Sequence, residues 1–179
     1  MRKVRRGRGR EKGGEFELYV CKQLSRWLGS ERVIFWKSAG SGSVATVTKG
    51  LVPQYGDITS THPDGIKLLS VVVISCKWYR QIDLLGHFDR KQSQKLLHAW
   101  WQEVLQWSRG CHRVPWLITK RNYGSPMLYT TPQLLEYCEV HPVLAILDAD
   151  PPMYCVPFEK FLQEVEWNKV AEYQVSEEV

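Results

Sequence analysis

Residues 66–78 read IKLLSVVVISCKW, and the fold class depends on how this stretch is interpreted. Its centre, from Leu68 to Ile74, is apolar at nearly every position and rich in valine. A strand that is apolar on both faces is typical of the middle of a sheet covered by helices on both sides. We therefore predict one long strand over residues 66–78, whose apolar run stops at the polar group Ser75-Cys76-Lys77.

The residues just before this strand favour a hairpin. Residues 55–61 have the composition of a second strand, and His62-Pro63-Asp64-Gly65 separates the two strands. Proline presets the φ angle of a turn, and Asp-Gly tolerates the turn geometry. A hairpin of this kind would bring Asp57 alongside the polar end of the long strand.

Helical patterns lie on either side of these strands in the sequence. Residues 14–28 and residues 88–107 carry apolar residues at every third or fourth position, which predicts two amphipathic helices. Further elements are predicted as strands at 32–37, 114–119 and 126–130, a helix at 132–137 capped by Thr131, either type at 143–147, and a terminal helix at 157–167. This order predicts an α/β fold with a central mixed sheet flanked by helices.

The charged residues are unevenly distributed along the 179 residues, whose net charge is +5. Residues 1–13 hold seven Lys or Arg and one acid, whereas residues 148–179 hold eight acids and two bases. We expect a flexible basic tail at 1–13, one domain at 14–168 and an acidic tail at 169–179. The basic tail permits a polyanion as partner, and simple solvation of the tail is the alternative.

The sequence contains neither a membrane-span pattern nor a secretory-signal pattern. No run of about 18 apolar residues occurs, and no apolar segment follows the basic start. The five cysteines are odd in number and widely spaced, which favours reduced thiols. We expect a cytoplasmic or nucleoid-associated protein without a membrane partner, and a phage origin is compatible with this expectation.

Acidic and basic side chains are expected to meet at one end of the sheet. The side chains of residues 75 and 77 point to the same face because side chains alternate along a strand. The hairpin would bring Asp57 beside them, and Glu17 lies near the start of the first helix. A carboxylate can hold a hard divalent cation, and a lysine can orient an attacking water or neutralise phosphate charge. The sequence therefore predicts a site for a metal and a phosphate.

This order of residues resembles the PD-(D/E)xK nuclease superfamily, in which an acid precedes an apolar strand that ends in x-x-Lys. Within the superfamily the chain is most similar to archaeal and phage-type Holliday junction resolvases, over about residues 12–120. The resemblance is carried by Gly14-x-Phe16-Glu17, Ser41-Gly42-Ser43, Asp57 and Lys77.

The resemblance implies a restriction-endonuclease-like core and a Mg²⁺- or Mn²⁺-dependent DNA endonuclease that acts as a homodimer on branched DNA. It implies that Glu17, Asp57 and the backbone carbonyl of Cys76 hold the metal and that Lys77 is the catalytic lysine. Contacts to DNA are expected from the tail, the serine loop and the polar face of the long helix: Arg5, Arg6, Arg8, Arg10, Ser41, Ser43, Lys91, Gln94 and Lys95.

Ser75 departs from the superfamily pattern, because an acid usually stands at this position. A serine brings no charge and is a poor ligand for Mg²⁺, although we retain Ser75 among the candidate catalytic residues. Glu17 can supply the missing charge, an acid elsewhere such as Glu103 or Asp83 can substitute, or the chain is an inactive or partner-dependent DNA-binding protein of the same fold.

Each candidate residue also has a purely structural interpretation. Glu17 can be an acid that stabilises a helix start, Asp57 a turn acid and Lys77 an ordinary lysine at a strand end. Trp100 and Trp101 are expected in the core or at a dimer contact. Trp78 and Tyr79 are better candidates for stacking on DNA bases, because they leave the sheet at the predicted site.

Overall fold

A computed structural model describes residues 8–38, 55–79, 90–147 and 149–174, without the side chains of residues 8–11 and 90–94. The helices are α1 (Arg8–Trp27), α2 (Pro63–Val71), α3 (Arg90–Cys111), α4 (Pro132–Cys138), α5 (Phe158–Glu164) and α6 (Trp167–Ala171). The strands are β1 (Phe35–Lys37), β2 (Ile58–Ser60), β3 (Val72–Tyr79), β4 (Val114–Arg121), β5 (Met127–Thr130), β6 (Leu144–Ile146) and β7 (Met153–Pro157). None of the helices in the described ranges is long and apolar enough to cross a membrane.

Five strands form a mixed sheet in the order β3-β4-β5-β7-β6. Strands β3 and β4 are parallel, and each other neighbouring pair is antiparallel. Strands β1 and β2 form a separate antiparallel pair, which meets the edge of β3 at Asp57. A parallel pair needs a crossover connection, and the segment between β3 and β4 contains α3.

Helices cover both faces of the sheet, as the sequence predicts. On one face α3 buries Leu97, Trp101 and Leu105 against Val73 of β3 and Leu117 of β4. The core on the other face draws residues from α1, α2, α4, α5 and α6 and includes Val20, Leu24, Ile74, Trp116 and Phe161. The first five residues of β3 are buried on both faces, which explains their apolar sequence. The predicted position in the middle of the sheet is wrong, because β3 is an edge strand of the five-stranded sheet and is covered there by helices on both faces. The predicted α/β fold, a mixed sheet flanked by helices, is confirmed, and it is consistent with a restriction-endonuclease-like core.

The predicted hairpin at residues 62–65 is wrong, because this segment begins helix α2. The Nδ1 atom of His62 accepts a hydrogen bond from the backbone N–H of Asp64 at 3.3 Å, and Pro63 occupies the first turn. Leu68 and Val71 are buried whereas Ile66 is 52% exposed, a spacing that suits a helix and not a strand. Helix signals at the N-terminus therefore outweigh the turn signal, and the strand begins only at residue 72.

Several other boundaries also differ from the sequence predictions. Helix α1 begins at Arg8, so residues 8–13 of the expected flexible tail are helical, and α6 extends past residue 168, with Val170 fully buried. The predicted terminal helix is two short helices separated at Val165 and Glu166, and strand β7 before it was not predicted. The ambiguous segment 143–147 contains the strand β6.

Candidate active site

Asp57 is held at the junction of the two sheets. Its backbone N–H donates to the carbonyl of Ile74 at 2.7 Å, and its own carbonyl accepts from the N–H of Ser38 at 2.8 Å. The preceding Gly56 has φ +87°, and a Cβ there would lie 2.8 Å from the carbonyl oxygen of Ile74. Only glycine lets the chain approach β3 this closely, so Gly56 fixes the position of the acid.

The carboxylate of Asp57 binds the end of strand β3. Its Oδ2 accepts a hydrogen bond from the backbone N–H of Cys76 at 2.7 Å and a longer one from the Ser75 hydroxyl at 3.4 Å. Burial raises the pKa of Asp57, and the nearby Glu103 raises it further, whereas the Cys76 N–H, Lys77 and the Ser75 hydroxyl lower it. The carboxylate is thus a buried anion whose charge the fold compensates only in part.

The backbone carbonyl of Cys76 lies on the same edge of β3 as Asp57. The N–H and C=O of one strand residue lie on the same edge of that strand, and the Cys76 N–H bonds to Asp57. The carbonyl oxygen therefore faces away from β4, on the side of the carboxylate. Oδ1 of Asp57 takes part in neither hydrogen bond to β3, so the edge presents two kinds of oxygen donor.

Lys77 is paired with an acid from the long helix. Its Nζ lies 2.7 Å from Oε2 of Glu103 on α3 and 5.9 Å from the ring centroid of Trp107. Ser75 and Lys77 point to the α3 face of the sheet, so the predicted shared face is correct for this pair of positions. Of the two alternative acids, Glu103 reaches the site, and Asp83 lies outside the described residues.

Glu17 of α1 influences the ionisation of two cysteines in the core on the opposite face of β3 from Lys77. Burial raises the pKa of the Cys76 thiol well above its usual range, and Asp57 and Glu17 raise it further. Burial, with a contribution from Glu17, also raises the pKa of Cys21 to about 12. Both thiols stay protonated near neutral pH, which excludes them as ready nucleophiles. Glu17 and Asp57 are thus both within electrostatic reach of Cys76.

The donors at this edge fit a hard divalent cation. Asp57 offers a buried and incompletely compensated carboxylate, the Cys76 carbonyl adds a neutral oxygen, and Glu103 and Glu17 add charge nearby. Among the described side chains no three of His, Cys, Asp or Glu form a ready cluster. Mg²⁺ is usually bound through one or two carboxylates while it keeps several waters, so such a cluster is not needed.

The structure brings Asp57, Ser75, Cys76 and Lys77 together, whereas the expected DNA contacts are more scattered. Lys95 is exposed on α3. Arg8 and Arg10 belong to α1, and Lys91 and Gln94 to α3, with side chains outside the described part; Arg5, Arg6, Ser41 and Ser43 lie outside the described residues altogether.

Lys120 and Arg121 were missed by the sequence analysis, because strand β4 was predicted to end at Thr119. The strand continues to Arg121, and Trp78 and Tyr79 pair with these two residues in the parallel register. The sequence did offer a signal, because two basic residues follow the buried part of β4. Only the register of β4 against β3 shows that this pair lies at the same end of the sheet as Lys77.

The chain was compared with known families, curated proteins and solved structures. A family described as "Phage putative PDDEXK endonuclease" matches residues 8–145, which include α1, Asp57, all of β3 and α3. No curated protein and no solved structure matches the chain. The match covers most of the chain, and the mixed sheet with its acid and lysine at one edge agrees with it. The chain belongs to this phage family of PD-(D/E)xK endonucleases.

Proposed function

We propose that this protein is a DNA endonuclease that hydrolyses phosphodiester bonds with a divalent cation at the Asp57–Lys77 edge. One observation carries the proposal: the buried Asp57 carboxylate is bonded to β3 at Cys76, one residue before the lysine. An acid and a lysine held at one sheet edge suit the hydrolysis of a phosphodiester by water. The membership in an endonuclease family supports the same reaction.

In this proposal Asp57 and the Cys76 carbonyl hold Mg²⁺ or Mn²⁺, and Glu17 adds negative charge from the other face. The cation, when bound, supplies Lewis acidity and lowers the pKa of a bound water. Lys77 neutralises charge that develops on the phosphate oxygens and orients the attacking water. The ordinary thiol chemistry of Cys76 plays no part, since burial keeps this thiol protonated.

We propose that Glu103 replaces the acid that is absent at Ser75. Ser75 is completely buried and carries no charge, whereas Glu103 contacts Lys77 at 2.7 Å and acts on the ionisation of Asp57. A carboxylate from α3 therefore reaches the same lysine and the same aspartate that an acid at position 75 would reach. Asp57 and Glu103 together provide two negative charges for a divalent cation.

Branched DNA and a homodimer are the finer parts of the proposal. They rest on the resemblance of residues 12–120 to Holliday junction resolvases, which cut one strand with each subunit. Support for a symmetric contact comes from β6, an edge strand in the described sheet with exposed Val143 and Leu147 beside it. Trp101 is fully buried in its own core and is therefore not part of such a contact.

The test is cleavage of supercoiled plasmid and of a synthetic four-way junction in Mg²⁺ and in Mn²⁺. We expect Asp57→Ala and Lys77→Ala each to lower the rate by about 100-fold or more, because the first removes a carboxylate that holds the cation and the second removes a positive charge at the phosphate. Glu103→Gln should lower it by about tenfold or more. Glu164→Gln is the matched control, since it removes the carboxylate of an exposed pair with Lys160 at 3.6 Å and should leave the rate unchanged.

Two outcomes would contradict parts of this proposal. If the wild type binds DNA and cuts neither substrate with either ion, the chain is a non-catalytic DNA-binding protein, the alternative that Ser75 leaves open. If Glu103→Gln cuts as fast as Glu164→Gln, the missing charge does not come from α3.

A further inference from the structure

A surface cavity of about 240 Å³ lies at the same end of the sheet as Lys77, on the opposite face. This volume is below the range of about 300–1,000 Å³ that is usual for small-molecule sites. A ligand of which only one part enters the cavity therefore suits it better than a whole cofactor. The residues that matter here are Lys12 and Tyr19 of α1, Trp78 of β3, Lys120 and Arg121 of β4, and Tyr123 in the turn that follows.

Two aromatic rings in this cavity each have a lysine ammonium group above the ring. Nζ of Lys12 lies 4.5 Å from the ring centroid of Trp78, and Nζ of Lys120 lies 5.0 Å from that of Tyr19. Such pairs combine a flat surface on which a base can stack with a positive charge that a phosphate can meet. Among the described residues that line the cavity, three are cations and one, Glu15, is an acid, so this part of the cavity favours an anion.

Tyr123 presents an aromatic ring to solvent at the rim of this cavity. The residue is fully exposed, and its backbone has φ +59°, a conformation that costs energy for a side chain of this size. The turn is closed by a hydrogen bond from the N–H of Gly124 to the carbonyl of Arg121 at 3.3 Å. The exposed ring has no packing in the described part of the chain that would offset this strain, so a role in binding explains the ring better than a role in folding.

The cavity adjoins the candidate active site through neighbouring residues. Trp78 follows Lys77 in β3, and Phe16 in the cavity wall precedes Glu17 in α1. Side chains alternate along a strand, so Trp78 and Lys77 lie on opposite faces of β3. Strand β3 is an edge strand of the five-stranded sheet, and a DNA strand that crosses this edge can therefore touch both faces.

We propose that this cavity binds one unpaired nucleotide of DNA beside the phosphate that is cleaved. Its base stacks on Trp78 once the flexible Lys12 side chain moves off the ring, with Tyr123 at the rim, and its phosphate pairs with Lys120 and Arg121. A base inside a continuous duplex is stacked between its neighbours and cannot enter without being extruded. Stacking accepts any base, so the cavity selects DNA by the lack of pairing and not by sequence. This inference rests on the proposed function and specifies its substrate as DNA with an unpaired nucleotide.

The test measures binding in metal-free buffer, so that no cleavage interferes. Fluorescence anisotropy compares a flap DNA, which carries unpaired nucleotides at a branch, with a continuous duplex of the same length. We expect the wild type to bind the flap about tenfold more tightly, and Trp78→Leu, Lys120→Ala and Tyr123→Asn to lose most of this preference. Asn tolerates the positive φ at position 123, so that variant keeps its fold even if Trp78→Leu does not.

A matched control removes a cation–ring pair of the same kind elsewhere in the chain. Nζ of Lys67 lies 5.5 Å from the ring centroid of Trp167, and Lys67→Ala should keep the full preference for the flap. A second readout places 2-aminopurine at the unpaired position. Its fluorescence should fall when the wild type binds, because the base stacks on Trp78, and should fall much less with Trp78→Leu.

The results separate this inference from the proposed function. If Lys120→Ala and Tyr123→Asn bind flap and duplex as the wild type does, the cavity is not the nucleotide site, even if the protein cuts DNA. If the wild type shows no preference and no quenching, the inference is overturned in the same way. If preference and quenching occur but no DNA is cut with Mg²⁺ or Mn²⁺, the cavity stands and the endonuclease proposal fails.

Discussion

Asp57 is 6% exposed as a residue, and its carboxylate accepts one close backbone N–H and one longer hydroxyl contact. Lys77 is the nearby cation, and it is itself paired with Glu103 at 2.7 Å. The single positive charge of Lys77 therefore has to balance two acids, Asp57 and Glu103. In the proposed function, a divalent cation bound at Asp57 would offset this excess of negative charge, and cation binding would then favour the ionised form of Asp57.

Asp57→Asn should stabilise the metal-free protein. Burial raises the pKa of Asp57 in the folded state, so the ionised side chain costs stability above that raised pKa and costs nothing below the unfolded value of about 3.9. We expect thermal melts without metal to show a higher Tm for Asp57→Asn than for the wild type at pH 7, with the difference shrinking as the pH falls toward about 4.

The control for this effect is Asp64→Asn, which removes an acid whose side chain is 47% exposed. Asp64 lies in the first turn of α2, where a negative charge is favourable, so its removal should not raise the Tm. Adding Mg²⁺ or Mn²⁺ should raise the Tm of the wild type and not that of Asp57→Asn. An Asp57→Asn protein that melts below the wild type at pH 7 would contradict the direction of the shift.

Among the secondary-structure elements, the connection from β2 to β3 decides where the acid lies. Helix α2 occupies most of the predicted hairpin and the first half of the predicted strand, yet Asp57 still reaches the edge of β3. The contact depends on the close approach at Gly56, before β2, rather than on a turn after it. The acid is therefore placed by backbone packing between two sheets.

Gly56→Ala should destabilise the protein by about 2–4 kcal/mol, from backbone strain at positive φ and from the clash with the Ile74 carbonyl. Asp57 would also be displaced from β3, so cleavage should fall together with stability. Denaturant unfolding measures the first effect and plasmid cleavage the second.

Gly13→Ala is the matched control for this substitution. Gly13 is in helix α1, and a Cβ there would meet nothing within 4 Å, so the change should stabilise the protein by about 0.5–1 kcal/mol. Equal stability of Gly56→Ala and the wild type would mean that the close approach does not hold Asp57.

Over the whole chain, positive charge is concentrated at the N-terminal end of the sequence. Residues 1–7 contain four Lys or Arg and no acid, and they precede α1, whose Lys12 lines the cavity beside the site. Contacts of such residues with phosphates add affinity without sequence information. In the proposed function the N-terminal segment would therefore supply affinity for DNA, and the edge of β3 would supply the chemistry.

Deleting residues 1–7 should weaken DNA binding and flatten its dependence on salt. Removal of four positive charges should reduce the slope of log affinity against log salt by up to about 3–4, because fewer counterions are released. Binding measured between about 50 and 200 mM salt checks this, with deletion of residues 175–179, which removes two acids, as the control. If the first deletion abolished cleavage while DNA binding persisted, this division of roles would be wrong.

The predictability of the site differs from residue to residue. The position of Lys77 at the end of a strand could be predicted, because a strand buried on both faces is apolar throughout and most of β3 is buried in this way. The stretch from Ile66 to Val71 was misassigned because a short apolar run looks alike in a buried strand and in a helix. The cavity was not predicted, because it depends on the register of β4 against β3 and on the packing of α1.

By itself the sequence determined the α/β class and the buried strand that ends at Lys77, since burial and periodicity are written in neighbouring residues. Only the tertiary structure decided that Glu103 reaches Lys77, that α2 takes the place of the hairpin, and that Lys12, Trp78 and Lys120 form one cavity. The physical reason is the same in each case. Distances between residues far apart in sequence depend on how whole helices and sheets pack, and no local pattern records that packing.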